Sequence, residues 1–246
     1  MLARPMMSWR EFWNGTHSIY VNERHRTLHY DLISKDIAAL VPARDACILD
    51  YGCGEAEASE TVAARAGMLY LYDAAPKVQQ RLRERFCHND KIVVLSSEAL
   101  DALPDQSIDL FVANSMIQYL SHAEFEALLE TAKRKLKDKG RLVVADIIPA
   151  EANAVDDAKA LLTFAWMGGF LVPALAGLVS TFFSDYRKLR EQIGLTRYAP
   201  QDIETLFAAH GFQAKRAPQN IGHNQSRMMF VGEPAQVSAM AATSRP

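Results

Sequence analysis

An α/β protein with a doubly wound, mostly parallel sheet is predicted by three observations on the 246-residue chain. Short apolar runs recur, stretches of good helix formers separate them, and successive runs end in a polar residue. The runs are Cys47 to Asp50, Met68 to Tyr72, Ile92 to Leu95, Ile108 to Ala113 and Arg141 to Ile148. Runs this short and this continuous suit strands buried on both faces, as in a parallel sheet covered by helices. In such a sheet the ligand sits at the carboxyl ends of the strands, where Asp50, Asp73, Ser97, Glu98 and Asn114 fall.

The elements follow in order. Residues 8–40 hold Trp9, Phe12, Trp13, Leu28, Ile33 and Ile37 in roughly helical spacing and predict two helices before the first strand, an N-terminal helical cap over residues 1–44. Residues 45–149 form the core. Within it, AEASETVAARA (residues 56–66) reads as a helix closed by Gly67, and Pro76 to Phe86 as a helix with proline at its start. Pro104-Asp105-Gln106-Ser107 is a turn before the fourth strand. Residues 122–136 are helical and run into KRKLKDKG, read as a basic, solvated helix end capped by Gly140. Residues 150–199 hold an apolar insert, and residues 200–246 a last helix (Pro200 to His210), two late strands (Gln213 to Ala217, Met228 to Val231) and a loose tail from Glu233. No internal repeat or composition break divides the chain, so one domain is expected.

Composition excludes some classes. With 27 basic against 29 acidic residues and a net charge of −2, there is no electrostatic footprint for a nucleic-acid backbone. Cys47, Cys53 and Cys87 have neither disulfide-framework nor zinc spacing, which fits a reducing, cytoplasmic setting. The first residues, MLARPMMSWREFW, lack the apolar segment of an export signal. His25 and His29 lie four apart and share a helix face, but a zinc site needs further ligands that the spacing does not supply, so no metal is expected.

Chemistry enters at Ile48-Leu49-Asp50-Tyr51-Gly52-Cys53-Gly54-Glu55, an apolar run ending in an acid and then two glycines one residue apart. Glycines there let the backbone turn tightly and approach a ligand. A dinucleotide loop wants a third glycine, and that position is Glu57, whose bulk and charge disfavour helix packing and a pyrophosphate. A Walker lysine is absent as well.

ILDYGCGEAEA resembles motif I of the class I S-adenosylmethionine-dependent methyltransferases, small-molecule type. Asp73 matches the acid ending strand two in that family; PDQSIDLFVANSMIQYL resembles its strand-four region and GRLVVADIIP its strand five. The resemblance covers about residues 45–149 and resumes weakly near the C-terminus. It implies a Rossmann-like fold and S-adenosyl-L-methionine as cofactor. By resemblance, Gly52 and Gly54 back the methionine portion with Asp50 and Glu55 at its border, Asp73 holds the ribose hydroxyls, Ala74 lies at the ribose–adenine junction, and Ser97 or Glu98 stands in for the adenine-contacting aspartate of many relatives; Asn114 ends strand four.

On the acceptor side, transfer from a sulfonium is an in-line displacement that positioning alone can accelerate. A base serves only hydroxyl or protonated amine acceptors, and His25, His29 and His223 are the candidates, with Gln118 as an orienting group. No N/D-P-P-Y/F follows strand four, which argues against methylation of nucleic-acid bases. The loop from Asn220 to Arg227 collects amide, imidazole and guanidinium groups and is either a surface loop or a wall of the acceptor pocket.

Residues 160–184 carry no charge and would be long enough to cross a bilayer, but if strand five and the final strands belong to one sheet a single crossing would split that sheet, and Gly168, Gly169, Pro173 and Gly177 break the run into two helical pieces. The piece is therefore a lid over an apolar acceptor pocket or a hairpin at a membrane interface, the latter making the protein peripheral at the inner face of a membrane. Arg187, Lys188 and Arg190 follow it. A small lipophilic or lipid-like acceptor is expected; a polar metabolite, or a non-catalytic cofactor-binding or membrane-associating module, is the alternative.

Overall fold

The computed structural model describes residue 9, residues 20–182 and residues 195–235. Of the expected elements, most of the first N-terminal helix (8 and 10–19), the end of the insert (183–184), the basic group Arg187, Lys188 and Arg190, and the tail from 236 lie outside the described residues.

The chain runs α1 (Glu23–Leu40), β1 (Cys47–Tyr51), α2 (Glu60–Ala63), β2 (Met68–Tyr72), α3 (Pro76–Phe86), β3 (Ile92–Leu95), α4 (Ser97–Ala102), β4 (Ile108–Asn114), a 3-10 turn (Ile117–Tyr119), α5 (His122–Lys135), β5 (Leu136–Ile147), α6 (Ala154–Gly168), α7 (Leu171–Phe182), α8 (Pro200–Ala209), β6 (Phe212–Arg216) and β7 (Met228–Pro234). The seven strands form one sheet in the order β3-β2-β1-β4-β5-β7-β6, parallel except that β7 is antiparallel to β5 and β6. From β1 the chain moves outward to β2 and β3, then returns to pair β4 with β1. That reversal opens a crevice at the carboxyl ends of β1 and β4, the place where sheets of this kind take a ligand. Asp50 lies there, opposite Leu71 of β2 and Val112 of β4.

Alternation along each strand separates two cores. Leu49 and Phe111 pack under one helical layer with Phe125, Leu129 and Phe207. Ile48, Leu110 and Val112 face the other, with Ile37, Val62, Val78 and Leu82. Both faces of the sheet are thus covered, as its short, continuously apolar strands require.

Two expectations are corrected. The helix expected over residues 56–66 is regular only at Glu60–Ala63, because the chain is still turning at Ala56, which has φ +44°. The basic run is not a solvated helix end capped by Gly140. Helix α5 opens with a capping box, Ser121 Oγ accepting from Glu124 N at 3.3 Å and Glu124 Oε2 from Ser121 N at 2.9 Å, and closes at Lys135. β5 begins at Leu136, so Gly140 lies within a strand. Lys135 is wholly buried, its ammonium held by the carbonyls of Asp101 and Leu103 and by the Asp105 carboxylate at 3.0 Å. A buried charge persists there because its donors are met.

The insert is two helices. Asn153 caps α6, its side-chain oxygen accepting from Val155 N and Asp156 N, and Gly169 ends it at φ +71°. Among the described residues no helix is long and apolar enough to cross a membrane.

Candidate active site

The loop after β1 is fixed by its neighbour strand: Gly52 N and Cys53 N both donate to Tyr72 O, at 2.7 and 3.1 Å. Gly52 and Gly54 are needed for different reasons. Gly52 has φ +75°, and a Cβ there would meet Met116 Sδ at 2.8 Å. Gly54 has φ +57°, but a Cβ would point into open space, with only Tyr30 Oη at 4.0 Å. The first glycine permits close packing on the β4 side, and the second leaves room for a ligand.

Asp73 ties the loop to the end of β2. Its Oδ2 accepts from Gly54 N at 3.1 Å and its Oδ1 from Ala75 N at 2.8 Å. Each carboxylate oxygen keeps further acceptor capacity, so the group is held in place while still able to receive two hydroxyls. Burial raises its pKa. Asp50 beside it is pushed up to about 7, by burial first and by the Asp73 charge second. Burial also works to raise the Glu55 carboxyl, but the hydrogen bond and charge of Arg81, joined by Arg85, outweigh it and hold Glu55 below its ordinary value. Glu57 is paired with Arg26. Burial raises the Cys53 thiol well above its usual range, which makes it a packing group rather than a nucleophile. With Glu55 and Glu57 taken by arginines, Asp50 and Asp73 remain as two carboxylates on the wall of the cavity, an arrangement that favours a cationic ligand and repels a pyrophosphate.

This wall belongs to a cavity of about 490 Å³. Among the described residues, four buried polar atoms lining it have no hydrogen-bond partner: His29 Nδ1, Asn114 Oδ1, Gln118 Oε1 and Arg227 Nη1. Polar groups this concentrated in one cavity call for partners from a ligand or from water. Two further lining residues are held in left-handed backbone: Ser115, after β4, and Asp146, in β5, both at φ +57°. Asp146 N donates to Asn220 Oδ1 at 2.8 Å, and its carboxyl, raised by burial, is within hydrogen-bond reach of the Ser115 side chain. Arg227 Nη2 donates to both oxygens of Asp157 on α6, at 2.7 and 2.9 Å.

The expected residues divide accordingly. Asp50, Gly52, Gly54, Glu55, Asp73, Ala74, Asn114, Gln118 and His29 line the cavity. Ser97 and Glu98 do not: both are exposed in the first turn of α4, and Ser97 reaches the cavity only through its 3.2 Å hydrogen bond to Tyr72 Oη. His25 and His223 form a layer behind His29, ring centroids 6.0–6.3 Å apart, with His25 stacked on Phe170 and His223 on Phe164. Burial lowers all three imidazoles, His25 to about 4 and His29 to about 3, so the layer is uncharged near neutrality. Among the described residues no cluster of histidine, cysteine and carboxylate has the geometry to hold a metal. Asp146, Ser115, Tyr30 and Arg81 were not foreseen as site residues. Asp146 had a signal, being the acid near the end of the fifth apolar run, whereas the others are placed by tertiary packing.

Comparison with known proteins bears on the same region. Residues 49–144 match the family described as "Methyltransferase domain". An uncharacterized methyltransferase of Mycobacterium tuberculosis is 30% identical over 94 residues, 38% of this chain and 46% of the relative. The chain thus spans under half the length of the curated relatives it matches. Residues 49–144 thus carry a methyltransferase domain. The chain also shares its fold with solved structures. Magnesium protoporphyrin IX methyltransferase from Synechocystis with bound SAH matches with TM-score 0.56 at 15% identity, over 92% of this chain and 93% of that one. A putative type 11 methyltransferase from Sulfolobus solfataricus matches with TM-score 0.54 at 17% identity, over 86% and 97%.

The site also fits the cofactor of this class, S-adenosylmethionine, on its own geometry. The Asp50 and Asp73 carboxylates on the cavity wall have the charge that a sulfonium or an α-ammonium would require, Asp73 keeps spare lone pairs of the kind ribose hydroxyls would need, and a Cβ on Gly54 would stand in open space.

Proposed function

We propose that this protein transfers a methyl group from S-adenosylmethionine to a small lipophilic acceptor in the cavity between β4, β5 and α1. The observation that carries the reading is that one cavity joins an acid-walled cofactor shelf to a set of unmet polar atoms in otherwise apolar surroundings. Bound S-adenosylmethionine supplies a methyl group activated by its positive sulfur. The chain's own part is to position, orient and take up a proton. Asp73 and the Gly52–Gly54 turn hold the cofactor portion. Ile33, Ile37, Met116, Leu120, Ile148 and Leu195 give the apolar lining that selects a lipophilic body. Gln118 and Asn114 orient the acceptor through their unmet oxygens, and Arg227 Nη1 donates to an oxygen beside the reacting atom.

For a hydroxyl or amine acceptor the proton goes to Asp146. Its carboxyl is raised by burial and so is a better base than an ordinary carboxylate, whereas His29, lowered to about 3, is a poorer one than an ordinary imidazole. His25 and His223 act only through His29, as packing behind it. Three free cysteines support a cytoplasmic setting.

A labelled-methyl assay of the purified protein over cell lipid extracts and polar extracts tests the reading. Label in the lipid fraction, lost in Asp146→Asn, is the expected result. Label only in polar compounds would overturn the lipophilic acceptor, and cofactor binding with no label in either fraction would overturn methyl transfer.

A further inference from the structure

The insert has two faces, and only one is used by the site. On the inner face Ala165, Phe170 and Ala174 are at most 1% exposed and pack with Val21, Leu28 and Phe164. On the outer face, around the Gly169 turn, Trp166 is 74% exposed, Met167 81%, Val172 76% and Leu175 48%. Bulky apolar side chains gathered at one turn mark an interaction surface, since removing each from water is favourable.

The chemistry of the patch selects its partner. The sequence carries no charge from Ala160 to Ser184. The only polar atom among the four exposed side chains is the indole N–H of Trp166, far short of the polar rim and regular hydrogen bonds of a protein interface. Tryptophan at the tip of an apolar element is suited to the boundary between acyl chains and headgroups. A cation stands at the turn itself, where the exposed Arg24 donates to Gly168 O, and the sequence after α7 continues with Arg187, Lys188 and Arg190. Neither α6 nor α7 is long and apolar enough to span a bilayer, so the contact is interfacial.

We infer that the α6–α7 turn docks this protein on an anionic bilayer, with Trp166, Met167, Val172 and Leu175 entering the acyl boundary and Arg24 beside the turn meeting acidic headgroups. The inner face of the same two helices carries Phe164 and Phe170, stacked on His223 and His25 beside the cavity. Docking therefore brings the acceptor side of the cavity to the lipid. The inference stands on the surface alone and does not require the proposed reaction.

Vesicle flotation of the full chain tests it, with vesicles of phosphatidylcholine and of phosphatidylcholine mixed with phosphatidylglycerol. The expected result is flotation with the mixed vesicles, a blue-shifted tryptophan emission absent from Trp166→Phe, and at least about a hundredfold weaker partition for the triple variant Trp166→Ser/Met167→Ser/Val172→Ser. All four residues are exposed, so the variants keep the fold, which their thermal transition checks. Absence of flotation, equal flotation of the triple variant, or equal binding to neutral and mixed vesicles overturns the inference. So does a self-associated protein that the same triple variant dissociates, which would make a second copy the occupant. Calorimetry of S-adenosylmethionine on the same samples reports separately on the proposed function.

Discussion

The two halves of the cavity are held by different means. On the cofactor side, position is set by backbone: β1, β2 and β4 are hydrogen-bonded neighbours, and the Gly52–Gly54 loop is stapled to Tyr72 O and to Asp73. On the acceptor side, position is set by side chains from elements distant in sequence. Gly222 N donates to Asp36 of α1 at 2.8 Å, and Arg227 and Asn224 both grip Asp157 of α6. A backbone-defined half keeps one ligand whatever the surrounding side chains, while a half defined by side chains can be rebuilt for a new acceptor without disturbing the sheet.

Substitutions on the two sides should therefore separate cofactor affinity from stability and acceptor choice. The largest effect is expected from Asp73→Ala, which removes the staple on Gly54 and, under the proposed function, the acceptors of the ribose hydroxyls. S-adenosylmethionine affinity should fall by about a hundredfold or more by calorimetry. On the other side, Asp157→Ala leaves the nearly buried Arg227, 10% exposed at its side chain, without its carboxylate. It should cost about 2–3 kcal/mol of unfolding free energy in denaturant titration. Cofactor affinity should change by less than about twofold, since no cofactor group depends on it.

Asp50 gives a pH test of the cofactor half. Its carboxyl is raised to about 7 in the folded protein, above its unfolded value. Without ligand, the ionised form is disfavoured, so the stability contributed by Asp50 is present at acidic pH and lost as pH rises towards 7. A cationic ligand favours the ionised form, so S-adenosylmethionine affinity should rise about tenfold between about pH 6 and pH 8, and Asp50→Asn should abolish that dependence. The smallest effect is expected from Ser97→Ala and Glu98→Ala. Neither side chain lines the cavity, and cofactor affinity should stay within about twofold of the unaltered protein by calorimetry.

The difference between the halves also decides what could be read from the sequence. The places of Asp50, Gly52, Gly54 and Asp73 on the cavity wall were legible because strand-end position and glycine spacing are local properties that fix where the backbone goes. The five core strands, Pro76–Phe86 and the division of the insert at Gly169 were legible for the same reason. Ser97 and Glu98 misled because a position after a strand does not say which way the chain turns, and here α4 carries both side chains outward. Lys135 misled because a lysine in a basic run looks solvated until Asp101, Leu103 and Asp105 converge on it from another part of the chain. The histidines were seen singly, but their stacking into one uncharged layer with Phe164 and Phe170 required the insert to fold back over α1. Asp146 drew no notice although an acid near the end of an apolar run was visible, because its left-handed turn into the cavity, held by Asn220, is set by tertiary packing.

The most direct test is calorimetric titration of the purified protein with S-adenosylmethionine and, in parallel, with NAD. The two carboxylates on the cavity wall and the missing third glycine predict one S-adenosylmethionine bound per chain and no heat from NAD. Binding of NAD, or no binding of S-adenosylmethionine, would contradict the assignment of the glycine loop, and with it the cofactor half of the site.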